Sequence, residues 1–127
     1  MHLIRVEDPA FFDSIVQKQL LLNSSVFILF YGRDIPETGE SYCPDCVRAL
    51  PNIYKALSTL PNSTLITTIV DKRTETDSPT WVYRTREDIK LTGVPTLCVW
   101  DKSGIVAQLV EEECFDYQSV LKFVSSS

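Results

Sequence analysis

The chain has 127 residues, 44% of them apolar and 23% charged, a composition that fits one globular domain with enough core-forming side chains to fold unaided. Acids outnumber bases, 17 against 12, for a net charge of −5, which argues against a phosphate-backbone binder and against docking on an anionic membrane surface. No apolar run approaches the ~20 residues of a spanning helix, and the opening residues, with Arg5, Glu7 and Asp8, carry no secretory h-region.

In chain order, Asp8-Pro9 reads as a helix start, because Asp8 can cap free N–H groups and Pro9 needs no donor at the first helical position. Phe12, Ile15, Val16 and Leu20 continue at helical spacing until Asn23-Ser24-Ser25. Val26 to Tyr31 is a continuous apolar run of β-formers, the pattern of a strand buried on both faces. A polar loop, Arg33 to Tyr42, follows with Pro36 and Gly39. The next helix begins at the cysteine pair. Cys46, Val47, Leu50, Ile53, Tyr54 and Leu57 form its apolar stripe, Pro44 suits its first turn, and Pro51 interrupts its hydrogen bonding. Leu65 to Val70 is a second β-branched strand.

Asp71 to Thr85 is polar and turn-rich and receives no assignment, and Arg86 to Leu91 reads as one or two helical turns. Val94 to Trp100 and Ile105 to Val110 flank Asp101-Lys102-Ser103-Gly104 and predict a β-hairpin, and Asp116 to Val124 predicts a closing helix. Alternating strands and helices describe an α/β sandwich, a mixed sheet covered by helices on both faces, in a single domain over residues 1–127. The cysteine pair then falls where a central strand hands over to a helix, the usual place for chemistry in an open α/β sheet.

Four cysteines are too few for a disulfide scaffold, and the Cys43-Pro44-Asp45-Cys46 spacing points to metal binding or redox chemistry. The attacking species in disulfide exchange is the thiolate, which a helix N-terminus favours through its unpaired N–H groups and macrodipole. Pro44 makes Cys43 the expected cap of the helix. Three residues on is nearly one turn, so Cys46 returns to the same face. Cys43 is the candidate nucleophile and Cys46 the candidate resolving thiol, with Pro44 and Asp45 between them tuning acidity. A charged Asp45 close to the sulfur opposes thiolate formation. Cys98 and Cys114 lack the paired knuckle spacing of a structural zinc site and read as packing residues, so no metal is assigned. His2 is the only histidine and sits at the terminus, which gives it no catalytic role. Trp100 reads as core. Trp81 reads either as a core anchor or as part of a substrate rim.

These residues carry a resemblance. Cys43-Pro44-Asp45-Cys46, with Pro51 and with Gly93-Val94-Pro95-Thr96 on a late strand, resembles thioredoxin-fold proteins. More narrowly, Ser41-Tyr42-Cys43-Pro44-Asp45-Cys46-Val47, Trp81, Lys90 to Leu97 and Glu111-Glu112-Glu113-Cys114 resemble the thioredoxin domain-containing protein 17 family, also called Clot, over roughly residues 10 to 124. The resemblance implies a thioredoxin fold and a cytoplasmic disulfide reductase acting in cell redox homeostasis. Its substrates would be small or peptide disulfides such as cystine. It implies no bound cofactor, with reducing equivalents passing from NADPH through thioredoxin reductase, and a monomeric chain. It also implies a cis Val94–Pro95 bond facing the thiols, which makes Tyr42, Val94 and Pro95 the candidate substrate-binding residues. Two features depart from the family pattern: Tyr42 stands where the family has Trp, and Asp71 to Thr85 matches only loosely around Trp81. Compared with thioredoxins proper, Leu29 stands where a buried Asp assists proton transfer. In its place Asp45 is a candidate proton acceptor, and the acidic loop with Asp34, Glu37 and Glu40 is a candidate filter against acidic or bulky disulfides. The competing reading is a non-catalytic thioredoxin-like interaction module.

Overall fold

The computed structural model describes residues 1–127. Its elements are β1 (His2–Val6), α1 (Phe12–Leu22), β2 (Val26–Gly32), α2 (Pro44–Ser58), β3 (Thr64–Val70), α3 (Val82–Thr85), β4 (Thr96–Asp101), β5 (Gly104–Val110) and α4 (Tyr117–Ser125). The sheet order is β1-β3-β2-β4-β5. β1 and β2 both run parallel to β3, whereas β4 is antiparallel to β2 and to β5, so the sheet is mixed as expected.

β2 is central, and every one of its residues is buried. Its side chains alternate between two cores. Phe27, Leu29 and Tyr31 join Ile53, Ala56 and Leu57 of α2 and Val120 and Val124 of α4 on one face. Ile28 and Phe30 join Phe12 and Val16 of α1, Tyr83 of α3 and Trp100 on the other. Two covered faces explain why the run from Val26 to Tyr31 shows no polar alternation. The second face is aromatic. Phe12 lies 5.4 Å from Tyr83 and 5.7 Å from Trp100 between ring centroids, both edge-on, and the Tyr83 hydroxyl is satisfied by Thr68 at 2.7 Å. Trp100 is therefore core, as read from sequence.

Local caps follow the sequence. The Asp8 carboxylate accepts from Ala10 N–H at 2.9 Å and starts a 3-10 turn, Pro9–Phe11, that leads into α1. Asp116 caps α4 through Ser119 N–H at 3.1 Å. Gly104 closes the β4–β5 hairpin with φ +102°, a conformation that favours glycine.

Three features correct the sequence reading. β1 carries no apolar run, because it is an edge strand with only Val6 buried, yet it pairs along its length with β3. The helical turns expected over Arg86 to Leu91 lie earlier, in a 3-10 turn Pro79–Trp81 and in α3, within the stretch left unassigned. Residues 86–91 instead hold one hydrogen-bonded turn, with Ile89 and Lys90 N–H both donating to Arg86 C=O. A 3-10 turn, Glu111–Cys114, also precedes α4 where none was expected.

Candidate active site

At the C-terminal end of β2 the chain leaves the sheet at Gly32, loops through residues 33–42, and enters α2 at Cys43. Cys43 is the N-cap of α2 in extended conformation (φ −97°, ψ 108°), with Pro44 in the first turn. Ser, Thr, Asp or Asn would cap this helix with an oxygen. Here the cap acceptor is a sulfur, since Cys46 N–H donates to Cys43 Sγ at 3.4 Å.

The two thiols differ in environment. Cys43 is partly exposed, and its S–H donates to the Val94 carbonyl at 3.6 Å, across 51 residues of sequence. Cys46 is fully buried in the core beside Leu29, and its sulfur accepts from Gly32 N–H at 3.3 Å. Burial pushes the Cys46 thiol well above the ordinary thiol range and the adjacent Cys43 adds to the rise, while the Gly32 N–H offsets only part of it. Val94–Pro95 is cis, as the resemblance implies, and the Val94 carbonyl faces Cys43.

Residues on both sides fix the loop into Cys43. Ser41 is buried, donates from Oγ to the Gly32 carbonyl at 2.6 Å and accepts from Cys43 N–H at 3.1 Å. A methyl on Gly32 would sit 2.8 Å from Ser41 Oγ, 2.9 Å from the Tyr42 ring and 3.0 Å from Cys43 Cβ, so the close approach of these segments requires glycine. Tyr42 donates its hydroxyl to the Val70 carbonyl at 3.0 Å. Burial, opposed by the nearby Arg84, pushes its phenol up to about 12. The hydroxyl gained in exchanging Trp for Tyr is thus turned inward to the end of β3.

Pro44 and Asp45 occupy the exposed first turn of α2, and Asp45 hydrogen-bonds to neither sulfur. Leu29 is fully buried between Thr67 and Leu97, so no carboxylate from β2 lies under the thiols. In the acidic loop, Asp34 pairs with Arg5 at 3.8 Å and bridges to Ser41 across the loop, whereas Glu37 and Glu40 are exposed. Trp81 belongs to neither core cluster. It is half-buried, with the Arg84 guanidinium 5.5 Å from its ring centroid. Cys98 is buried in the aromatic core and Cys114 in the core that holds Cys46, and burial pushes both thiols up to about 12. Sequence reasoning missed Ser41, Gly32 and the basic side chains near Tyr42. Ser41 stood in the motif that carries the resemblance and Gly32 closed an apolar strand, but neither pattern showed their contacts with each other.

The arrangement resembles known proteins in sequence and in shape. A family model described as thioredoxin domain-containing protein 17-like, thioredoxin domain, matches residues 9–126. The thioredoxin-like protein Clot of Arabidopsis thaliana is 38% identical over 102 residues, covering 80% of this chain and 76% of that protein. Thioredoxin domain-containing protein 17 of Danio rerio is 41% identical over 92 residues, covering 71% and 69%. Among solved structures, a poplar thioredoxin h superposes with a TM-score of 0.70 at 12% identity, covering 99% of this chain and 96% of that one, a likeness of fold alone. The order and direction of the strands, the cis-proline beside a helix-capping cysteine and the match over residues 9–126 place the chain in the thioredoxin domain-containing protein 17-like family, a thioredoxin-fold family whose general chemistry is thiol–disulfide exchange.

Proposed function

We propose that the protein is a disulfide reductase in which Cys43 attacks and Cys46 resolves. Cys43 thiolate bonds to one sulfur of a substrate disulfide and expels the other half as a thiolate, which takes up a proton. Cys46 then loses its proton and attacks Cys43 Sγ, releasing the second half and leaving a Cys43–Cys46 disulfide. The protein has lost two electrons, and the substrate is now two thiols. The observation that carries this reading is the asymmetry of the pair: Cys43 is reachable, at a helix N-terminus, and Cys46 is sealed in the core.

The same asymmetry orders the steps. While Cys43 is a free thiolate, its negative sulfur helps hold the proton on Cys46. Once Cys43 is in a mixed disulfide that contribution vanishes and Cys46 becomes more acidic, so the resolving thiol is released by the first step. With Leu29 in place of a carboxylate, its proton leaves through Asp45 at the helix start or through water. Pro44 and Asp45 tune the pair, Tyr42 gives an aromatic wall, and Val94 offers its backbone beside Pro95 to an extended substrate segment.

The substrates are small or peptide disulfides such as cystine, and NADPH reduces the oxidised pair through thioredoxin reductase in the cytoplasm. No helix is long and apolar enough to cross a membrane. The test is a coupled assay of NADPH, thioredoxin reductase and cystine or insulin. Cys43→Ser should abolish turnover, and Cys46→Ser should accumulate a mixed disulfide detectable by mass. Equal turnover by wild type and Cys43→Ser refutes the reading and favours a non-catalytic interaction module.

A further inference from the structure

The chain carries an excess of acids, yet the side of the site over the end of β3 is cationic. Lys72 Nζ lies 5.6 Å from the centroid of the Tyr42 ring. Arg84 donates from Nη2 to the Asp71 carbonyl at 2.9 Å, while its Nε and Nη1 are buried with no hydrogen-bond partner. Arg73 stands close enough to Arg84 for their charges to oppose one another. None of the three forms an ion pair. Of the carboxylates in this segment, Asp71 is held by Arg33, Ser78 and Thr80 and Glu75 accepts from the backbone N–H of Lys72, while the exposed Asp77 makes no hydrogen bond or ion pair.

Gathering like charges around a guanidinium with unmet donors is unfavourable in the free protein. An anion placed there relieves it. The opposite side of the thiols has the reverse sign. The Glu111 carboxylate lies against Gly93, next to Val94, close enough that a methyl on Gly93 would meet it. Tyr42 and Val94, the residues on either side of Cys43, are thus bordered by charges of opposite sign, Lys72 and Arg84 at Tyr42 and Glu111 beside Gly93.

We propose that the cationic flank is an anion subsite, in which Lys72 and Arg73 hold a carboxylate carried by a small disulfide substrate against Tyr42 while its sulfur meets Cys43. Arg84, whose guanidinium is largely enclosed, is a positioning residue that supplies a fixed charge behind Tyr42. The proposal rests on the reductase reading and adds the residues that select among its small disulfides, through a carboxylate a few bonds from sulfur such as cystine carries. The exchange is the two-step one above, and the carboxylate takes no part in it. A carboxylate could also come from an acidic peptide, so the experiment separates the two sources.

The test uses pre-reduced protein in single turnover without reductase, at low salt. The oxidants are 3,3′-dithiodipropionic acid, the neutral 2-hydroxyethyl disulfide, and a disulfide-linked peptide with an acidic residue beside its cysteine. The ratio of rates for the dicarboxylate over the neutral disulfide is expected to be about fivefold to tenfold in wild type, as two exposed charge contacts would give. It should fall towards one in Lys72→Gln/Arg73→Gln and at high salt. Arg84→Gln should lower the ratio and Arg84→Lys should preserve it. Being a ratio, it is not moved by a general loss of active protein. A ratio of one in wild type, or a ratio that survives Lys72→Gln/Arg73→Gln, overturns the subsite. So does discrimination confined to the acidic peptide. Inactivity of wild type towards every disulfide would instead refute the reductase reading itself.

Discussion

Asp71 closes β3 and ties together the segments behind Tyr42, so its removal has a calculable effect. Its carboxylate accepts from Arg33 Nε at 2.7 Å, Ser78 Oγ at 2.6 Å and Thr80 Oγ1 at 3.0 Å. The Arg33 guanidinium, helped by these hydroxyls, holds Asp71 at about 2, below its usual 3.8. At about 1.4 kcal/mol per pKa unit, the ionised carboxylate contributes about 2 kcal/mol of stability at neutral pH. The sign follows from the depressed value: the contribution is complete above the unfolded-state pKa near 4 and is lost as pH falls through 2. Asp71→Asn keeps one acceptor oxygen and loses the charge. In urea titrations of the reduced protein followed by circular dichroism, the variant should be about 2 kcal/mol less stable than wild type at pH 7, about half that at pH 3, and within ~0.5 kcal/mol at pH 2. A gap that stays constant from pH 7 to pH 2 would refute the electrostatic argument. No gap at pH 7 would refute the whole account of this corner.

Gly32→Ala should cost about 1–3 kcal/mol, because Ser41, Tyr42 and Cys43 must all move. It should also slow disulfide reduction by about tenfold or more through misplacement of Cys43, measured in the coupled assay; an unimpaired rate would show that the 33–42 loop adapts freely. Tyr42→Phe loses a bond to the Val70 carbonyl, which still accepts from Arg33 N–H at 3.2 Å, so urea titration should show a loss of only about 0.5–1 kcal/mol. At alkaline pH the sign is opposite to that of Asp71. Cys98, raised from 9.0 to about 12, stabilises the fold fully below pH 9, and each pH unit above that removes about 1.4 kcal/mol as the unfolded chain ionises first. Cys98→Ala should therefore show a shallower fall in stability from pH 9 to 11 than wild type, and parallel curves would count against the burial argument.

Which parts could be read from the residues depends on how local their causes are. β2 was legible because burial on both faces leaves a continuous apolar run, and α2 because its stripe, its cap and Pro44 all lie within a few turns. β1 was not, since an edge strand with Arg5 exposed owes its conformation to pairing with β3 rather than to its own pattern. The Pro79–Thr85 turns were missed for a related reason. They are too short to show a period, and what fixes them is Tyr83 buried against Thr68 and Phe12, together with Thr80 holding Asp71. At the site, the placing of the thiols on one helix followed from spacing. The contact between Cys43 and Val94 did not, and it was foreseen only through the resemblance. Arg84 left no trace in the sequence at all, because an unmet hydrogen bond is a property of the packed state.

The acidity of the chain therefore says less about its site than the placement of a few side chains does. Of the loop acids expected to filter substrates, Asp34 pairs with Arg5 while Glu37 and Glu40 stay exposed; elsewhere Asp71 is held by Arg33 and Glu113 accepts from the Val110 N–H at 2.9 Å. A charge farther than the ~8 Å Debye length at physiological salt contributes little at the thiol, so a net charge summed over the surface is a poor measure of the field there. The charges differ in sign beside the two residues that adjoin Cys43: Lys72 and Arg84 at Tyr42, Glu111 at Gly93 next to Val94, with Asp45 in the first turn of α2. Selection by such a site depends on how a substrate orients its charges about its sulfur rather than on its total charge. Two disulfides of equal charge but reversed polarity should differ in rate at low salt and converge as salt is added.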